Sequence, residues 1–481
     1  MSATTADCEA GRLTIDILPD DVLLLIFQFD RATYPHHEDV HRRWEFLRWH
    51  QLVHVCRRWR SVVFASPNFL NLRLVCGPWT PPAELAGIWP PLPIIITNRH
   101  VWTMSEYCDF DLAIVHHTRV CEINFANLSR SQLHRLASAM RRQFPALIHL
   151  RLGFFNHFRG PFPVLPDEFL GGSASRLQSL ELNHIAFPAL PKLLLSATNL
   201  VRLTLLGIPY FEFVSPEALV TSLAVLANLK FLTFQYEPPV FPRFRESLRL
   251  PPPTRTVVPA LTRFEFQGVG EYLDDLVARI DTPLLDSMQI KLFQQPIFDF
   301  SQLVQFMIRT TRFGALNEAH VNFEHSGVQV GYLPPPWIFG GDFWLKFLKL
   351  SSLELDWQFS SLTQVITSFS HSTYMVEYLY VYGLSSQWHD DNENMQWLEI
   401  FHSFTSVKNL YVSWNFSHCI ALVLQDLVGE SASEVLPALE SLYLEDLQPS
   451  GPVEEAIGPF VAARQLLGHP VAVSHWKREA D

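Results

Sequence analysis

Cysteine is scarce: six residues are scattered over 481 with no CxxC pair. That excludes a disulfide framework and fits a reducing compartment, cytoplasmic or nuclear. Glycine is low too, at 20 residues, or about 4% where about 7% is usual. Charged residues reach only 17%, against a soluble average near 25%. Net charge is −12 and no long basic run occurs, whereas a nucleic-acid groove or an anionic membrane would call for the opposite sign. No stretch approaches about 18 uninterrupted apolar residues, so no membrane span is expected. The first apolar run begins at Val22, behind Asp20 and Asp21 in place of a basic segment, which argues against a secretory signal. The sequence also lacks G-x-S-x-G, P-loop and G-x-G-x-x-G strings, so it carries no nucleophile elbow and no phosphate cradle.

What is present is apolar residues, 48% of the chain, and proline, 34 residues. The first supplies a large core; the second suits stiff loops between compact elements. From residue 120 a six-residue pattern recurs: an apolar residue, two variable ones, an apolar one, a variable one, an apolar one. It occupies 120–125, 147–152, 177–182, 200–205, 229–234 and 261–266, then 285–290, 316–321, 350–355, 376–381, 407–412 and 439–444. The last four residues of each copy alternate in the manner of a strand with one buried face. Between them lie helix signals, such as Ser215-Pro216-Glu217, which offers an N-cap, a first-turn proline and an acid. Further helices are expected over 129–143, 272–280, 300–311, 362–369, 395–404 and 453–467, and a last strand over 471–476. One strand and one helix per repeat cannot close a core alone, but stacked copies bury their leucines against one another.

The pattern resembles a leucine-rich repeat. The resemblance implies an α/β fold: an irregular leucine-rich-repeat solenoid, or horseshoe, over 120–476. The Asn or Cys usual in that family after the last leucine is missing; Phe155 and Ile185 stand there instead, so irregular turns are expected.

The amino-terminal segment carries a second pattern. Leu18-Pro19-Asp20-Asp21 opens a helix, with proline in the first turn and acids near the positive end of the dipole, before an apolar run through Val22, Leu23, Ile26 and Phe27. Farther on, Leu52, Val55, Cys56, Trp59 and Val63 fall at helical steps, and Pro67 ends the pattern. The Leu-Pro start together with Val55-Cys56-Arg57-Arg58-Trp59 resembles an F-box, a small all-helical module, here over 15–70. The resemblance implies docking on the Skp-type adaptor of a cullin–RING ubiquitin ligase, with the repeats holding an unknown target protein. Carried over by position, the adaptor-binding residues would be Leu18, Pro19, Val22, Leu23, Ile26, Val55, Cys56 and Trp59. The segment 31–44, rich in His and charge, is longer than the family's connection. The implied layout is a flexible 1–14, the module over 15–70, a Pro-rich linker and first cap or repeat over 71–119, repeats over 120–476 and a tail over 477–481. The chain would be non-catalytic, with no cofactor and no metal.

Target recognition is expected where the strands end in tyrosine. The residue between the last two apolar ones of each repeat forms a ladder, and its final three members are Tyr380, Tyr411 and Tyr443, with Tyr378 and Tyr382 on the same face. Clustered tyrosines with a polar rim compose a binding hot spot; the alternative is that tyrosines stack on one another for the sheet's sake. Other readings carry less. His37, Glu38 and His41 make an H-E-x-x-H string, the zinc-hydrolase motif, but Pro35 and Arg42 flank it where such a helix is packed and apolar. Cys108, His116, His117 and Cys121 could suggest a zinc clip, yet Cys121 begins a repeat strand and suits a buried thiol better. Pro90 to Pro93 offers a polyproline ligand or simply a stiff loop. A repeat scaffold outside any ligase remains the main alternative function.

Overall fold

The apolar alternation in each repeat governs what forms. The computed structural model describes residues 15–32, 48–76, 91–98, 115–155, 161–209, 214–238, 254–293, 300–310, 317–333, 348–351, 355–369, 373–383, 393–427, 429–445 and 451–476. The chain is mixed α/β, with a large, mostly parallel, open sheet; among the described residues there are thirteen helices. It divides into two compact units, Met1–Leu152 with Glu168–Gly171, and Gly153–Asp167 with Gly172–Asp481.

The first unit begins with a short 3₁₀ turn, Ile15–Ile17, and three helices, α1 (Asp20–Ala32), α2 (Arg48–Val55) and α3 (Arg57–Ala65). Asp20 and Asp21 lie in the first turn of α1, where the helix dipole favours anions. Leu23 and Phe27, one turn apart, are buried together with Trp49, Val53, Val62 and Val63. Behind the helices, strands β1 (Leu74–Cys76), β2 (Ile94–Thr97) and β3 (Val120–Leu128) pair in parallel, with a bulge at Ile94/Ile95. The segment 71–119 therefore holds two strands, where a linker with a first cap or repeat was expected. The helix Arg130–Ala139 follows, opened by a capping box between Ser129 and Gln132.

Strand β4 (His149–Phe154) straddles the division. The second unit continues with β5 (Ser179–Asn183), β6 (Arg202–Ile208), β7 (Phe231–Tyr236), β8 (Thr256–Val257), β9 (Arg263–Gly268), β10 (Ile280–Asp281) and β11 (Ser287–Leu292). Then come β12 (Glu318–Glu324), β13 (Gly327–Leu333), β14 (Leu348–Ser351), β15 (Tyr378–Gly383), β16 (Asn409–Val412), β17 (Ser441–Glu445) and β18 (Ala472–Trp476). Most strands contribute buried residues alternating with half-buried or exposed ones, as in β7, β9, β12 and β17. The buried set meets the helices: Phe323, Phe359, Trp397 and Phe416 form one aromatic cluster, with centroids 5.1 Å apart for Phe323–Phe359 and Phe359–Trp397.

Except at β3 and β14, the strands start two residues later than the repeat. The first apolar residue of most copies sits in a recurring turn, its N–H donating to the carbonyl three residues back: Leu177 to Ala174, Leu200 to Ala197, Leu229 to Leu226, Leu285 to Thr282, Val376 to Thr373 and Leu439 to Leu436. Those residues are buried, so they read as apolar without belonging to the ladder.

The sequential stacking of repeats is corrected in one place. The spatial order is β9-β11-β14-β13-β12-β15, with β13 antiparallel to both neighbours. Strand β14 pairs with β11 and β12 pairs with β15, both in parallel. The copies at 316–321 and 350–355 are thus not adjacent. The expected strand over 350–355 is shorter and earlier, Leu348–Ser351, and a helix begins at Leu355. Another helix, Trp414–Gln425, was not anticipated.

Candidate interaction surfaces

Helix α1 is apolar on two sides. At 100° per residue, Leu23 and Phe27 point to the interior, while Val22, Leu25, Ile26 and Phe29 share a stripe on roughly the opposite side. Leu25 is 59% exposed, Ile26 42% and Phe29 71%. A helix apolar all round is either buried or covered by something else. The stripe is held in a fixed module. Arg58 of α3 donates to the Asp20 carboxylate (Nη2–Oδ1 2.7 Å) and to the Leu18 carbonyl, and Arg60 donates to the Val53 carbonyl at 2.9 Å. These two arginines tie α3 to the start of α1 and to α2.

The eight residues expected on the adaptor face separate into two groups. Pro19 is exposed, Leu18 and Val22 are half-buried, and Ile26 and Val55 are exposed; these reach the surface. Leu23 is corrected: it is fully buried and belongs to the module's own core. Cys56 and Trp59 are half-buried and also make contacts within the module. The Cys56 sulfur caps α3 by accepting the Trp59 N–H at 3.4 Å, and the Trp59 ring packs on Phe27 with centroids 4.7 Å apart. Leu25 and Phe29, which that expectation did not name, are exposed on the same helix. Their signal was available in the run of apolar residues from Val22 to Phe29, too dense for a one-sided helix.

The second surface lies on β12 and β15–β18, on the sheet face away from the helices. Parallel register sets His320, Tyr380, Tyr411, Tyr443 and Ser474 side by side. The rings stack: His320–Tyr380, Tyr380–Tyr411 and Tyr411–Tyr443 each have centroids 4.4 Å apart, tilted by 6°, 10° and 5°. Trp476 of β18 reaches back across the stack to Tyr411 (5.6 Å, 67°) and Tyr380 (6.5 Å). Tyr382 meets His320 edge-on at 6.0 Å, and Tyr378 lies half-buried beside Asn409. Burial, with Glu318 adding to it, pushes the Tyr380 hydroxyl pKa well up; burial also raises Tyr411. All five expected tyrosines share this face. Trp476 and His320 join them, and both were legible as alternate positions of their strands.

Among the described residues no group of three or more His, Cys, Asp or Glu is placed to hold a metal ion. His37, Glu38, His41 and Cys108 lie outside the described residues. Cys121 is buried with its Sγ–H donating to the Ile94 carbonyl at 3.3 Å, and burial pushes its thiol pKa up. His117 is engaged elsewhere, with the Gln143 carbonyl 2.8 Å from Nδ1. Among the described residues no helix is long and apolar enough to cross a membrane. No family model matches the chain, and no curated protein matches it.

Proposed function

We propose that the chain is the non-catalytic target-recognition subunit of a cullin–RING ubiquitin ligase, residues 15–70 docking on a Skp-type adaptor and the tyrosine face holding the target. The observation that carries this reading is the outer stripe of α1. A three-helix module fixed by Arg58 and Arg60 leaves Leu25, Ile26 and Phe29 outside its own core. Burying such side chains contributes about 1.5–3 kcal/mol each, and aliphatic and aromatic anchors carry most of the energy in such patches. Val55 at the end of α2 is also exposed, at 59%. The mechanism is proximity: one end fixes the protein to the ligase and the other holds the target near charged ubiquitin, raising its effective concentration.

The test is capture of a purified Skp-type adaptor by the full chain. Leu25→Asp combined with Ile26→Asp should abolish capture while leaving the circular dichroism and melting unchanged, since both side chains are exposed. Capture at the wild-type level by this variant would leave an interaction scaffold outside any ligase as the better reading.

A further inference from the structure

The tyrosine stack ends on an open ring face. Among the described residues Tyr443 has a single ring neighbour, Tyr411. On its other side the register partner is Ser474, small and exposed, followed along the same face by Trp476, whose ring contacts Tyr411 and Tyr380. A planar group from outside could continue the stack over Ser474. The sheet already shows which group suits such a place. Two strands in the same unit, β6 and β7, set Arg202 beside Phe231, and the guanidinium carbon lies 4.7 Å from that ring's centroid. In that pair a neighbouring strand supplies the cation; beside Tyr443 the neighbouring strand supplies only a serine.

Charge selects the same occupant. The outward positions of β12, β15, β16, β17 and β18 contain no Lys or Arg, but they do contain Glu318, Glu324 and Glu445. The outward positions of β6, β9 and β11 carry Arg202, Arg263 and Lys291, with Glu265 as their one acid, paired to Arg263. The carboxylate of Glu445 stands two residues beyond Tyr443 on the same face and accepts the Trp414 N–H at 3.1 Å. Ring faces attract cations through their quadrupole, and arginine, being flat and weakly hydrated, stacks best.

We propose that Tyr443 and Ser474 form an arginine seat, so that the target presents an extended basic segment whose guanidinium stacks on Tyr443 beside Glu445. This deepens the reading that the tyrosine face holds the target, and rests on it, but it is tested without the adaptor. The probe is a fluorescein-labelled peptide of alternating arginine and serine, titrated into the purified full chain and followed by anisotropy. Binding should weaken with rising salt and should drop when citrulline, equally flat but uncharged, replaces arginine. Ser474→Leu, which fills the seat from an exposed position, and Tyr443→Leu, which removes the ring, should each weaken binding roughly 2- to 30-fold. Their melting curves identify any loss of fold, and Ser474→Leu keeps the stack itself intact. Equal binding of the citrulline or a phenylalanine peptide, or no effect of Ser474→Leu, overturns the proposal. So does a concentration-dependent dimer that Ser474→Leu abolishes, which would make a second copy of the chain the occupant. Adaptor capture that survives alongside absent peptide binding would sink the arginine seat alone.

Discussion

Arg464 is a cation buried without a carboxylate, and replacing it tests whether backbone carbonyls suffice to hold it. The residue lies near the end of the helix Pro452–Leu466 and is fully buried. Its guanidinium donates to the carbonyl of Ala432 (3.3 Å) in the short helix Ser431–Glu434, and to those of Pro437 (3.2 Å) and Leu439 (3.0 Å) in the turn leading into β17. Burial pushes its pKa down. Hydrogen bonds to charged groups contribute about 1.5–3 kcal/mol each; two of these three are long, so the lower end applies and the total is about 4 kcal/mol. Methionine keeps the stem's packing and removes the head. Arg464→Met should therefore destabilise the last repeats by about 3–4 kcal/mol, whereas Arg464→Lys, which cannot span three carbonyls with one ammonium, should lose about half of that. A chain of two units has no single unfolding free energy, so the assay is native-state hydrogen exchange read segment by segment. Protection should fall over 429–445 and 452–476 and hold over 179–236, as nearest-neighbour stacking predicts. The competing effect is desolvation: apolar replacements of buried charges can be neutral or stabilising. A loss under about 1 kcal/mol, or a gain, would mean that desolvation cancels the three bonds and would refute the reasoning.

Two further outcomes are expected. Gly383 closes β15 at φ +150°, and a Cβ there would lie 2.1 Å from the Phe323 carbonyl oxygen across the pairing; Gly383→Ala should cost more than about 1 kcal/mol, read as a lowered melting temperature, and an unchanged one would refute the clash. The hydroxyl pKa values of Tyr272, Tyr380 and Tyr411 are raised, chiefly by burial, so their folded values exceed the unfolded value of about 10. Their contribution to stability is complete below pH ~10 and is lost as pH rises through the folded values. Ultraviolet titration should show these three ionising late, together with alkaline unfolding, and ionisation near pH 10 in the intact fold would contradict it.

Much of this fold is legible because burial leaves a period in the sequence. Eleven of the twelve six-residue copies carry a strand over their alternating residues, since alternation with one buried face has few other solutions, and the copy at 350–355 is the exception. Boundaries were displaced because Leu200 or Leu439 is as apolar in a turn as in a ladder. Strand β13 escaped for a different reason. Its Val328 and Val330 alternate and follow a two-residue turn at His325 and Ser326, a hairpin signal that the six-residue motif does not contain. Leu23 was misplaced because one sequence window cannot tell which side of a helix meets its own module when both sides are apolar. The stacking of the tyrosines was implied by their matched positions. The reach of Trp476 over them was not, because a side chain's tilt across strands has no counterpart in spacing.

The antiparallel strand β13 alters the order in which this array can be assembled. In an uninterrupted stack each new repeat docks on the one made just before it, so ordering can advance from one end with only local loops to close. Here that advance halts at β11. The next strand to emerge, β12, has its parallel neighbour in β15, still to come, and β13 folds back on β12 as a hairpin with nothing yet on its outer edge. Only when β14 arrives, 56 residues beyond the end of β11, can the gap between the two halves be filled. The hairpin acts as a keystone: the repeats before it and the tyrosine strands after it become a continuous surface only once it is seated.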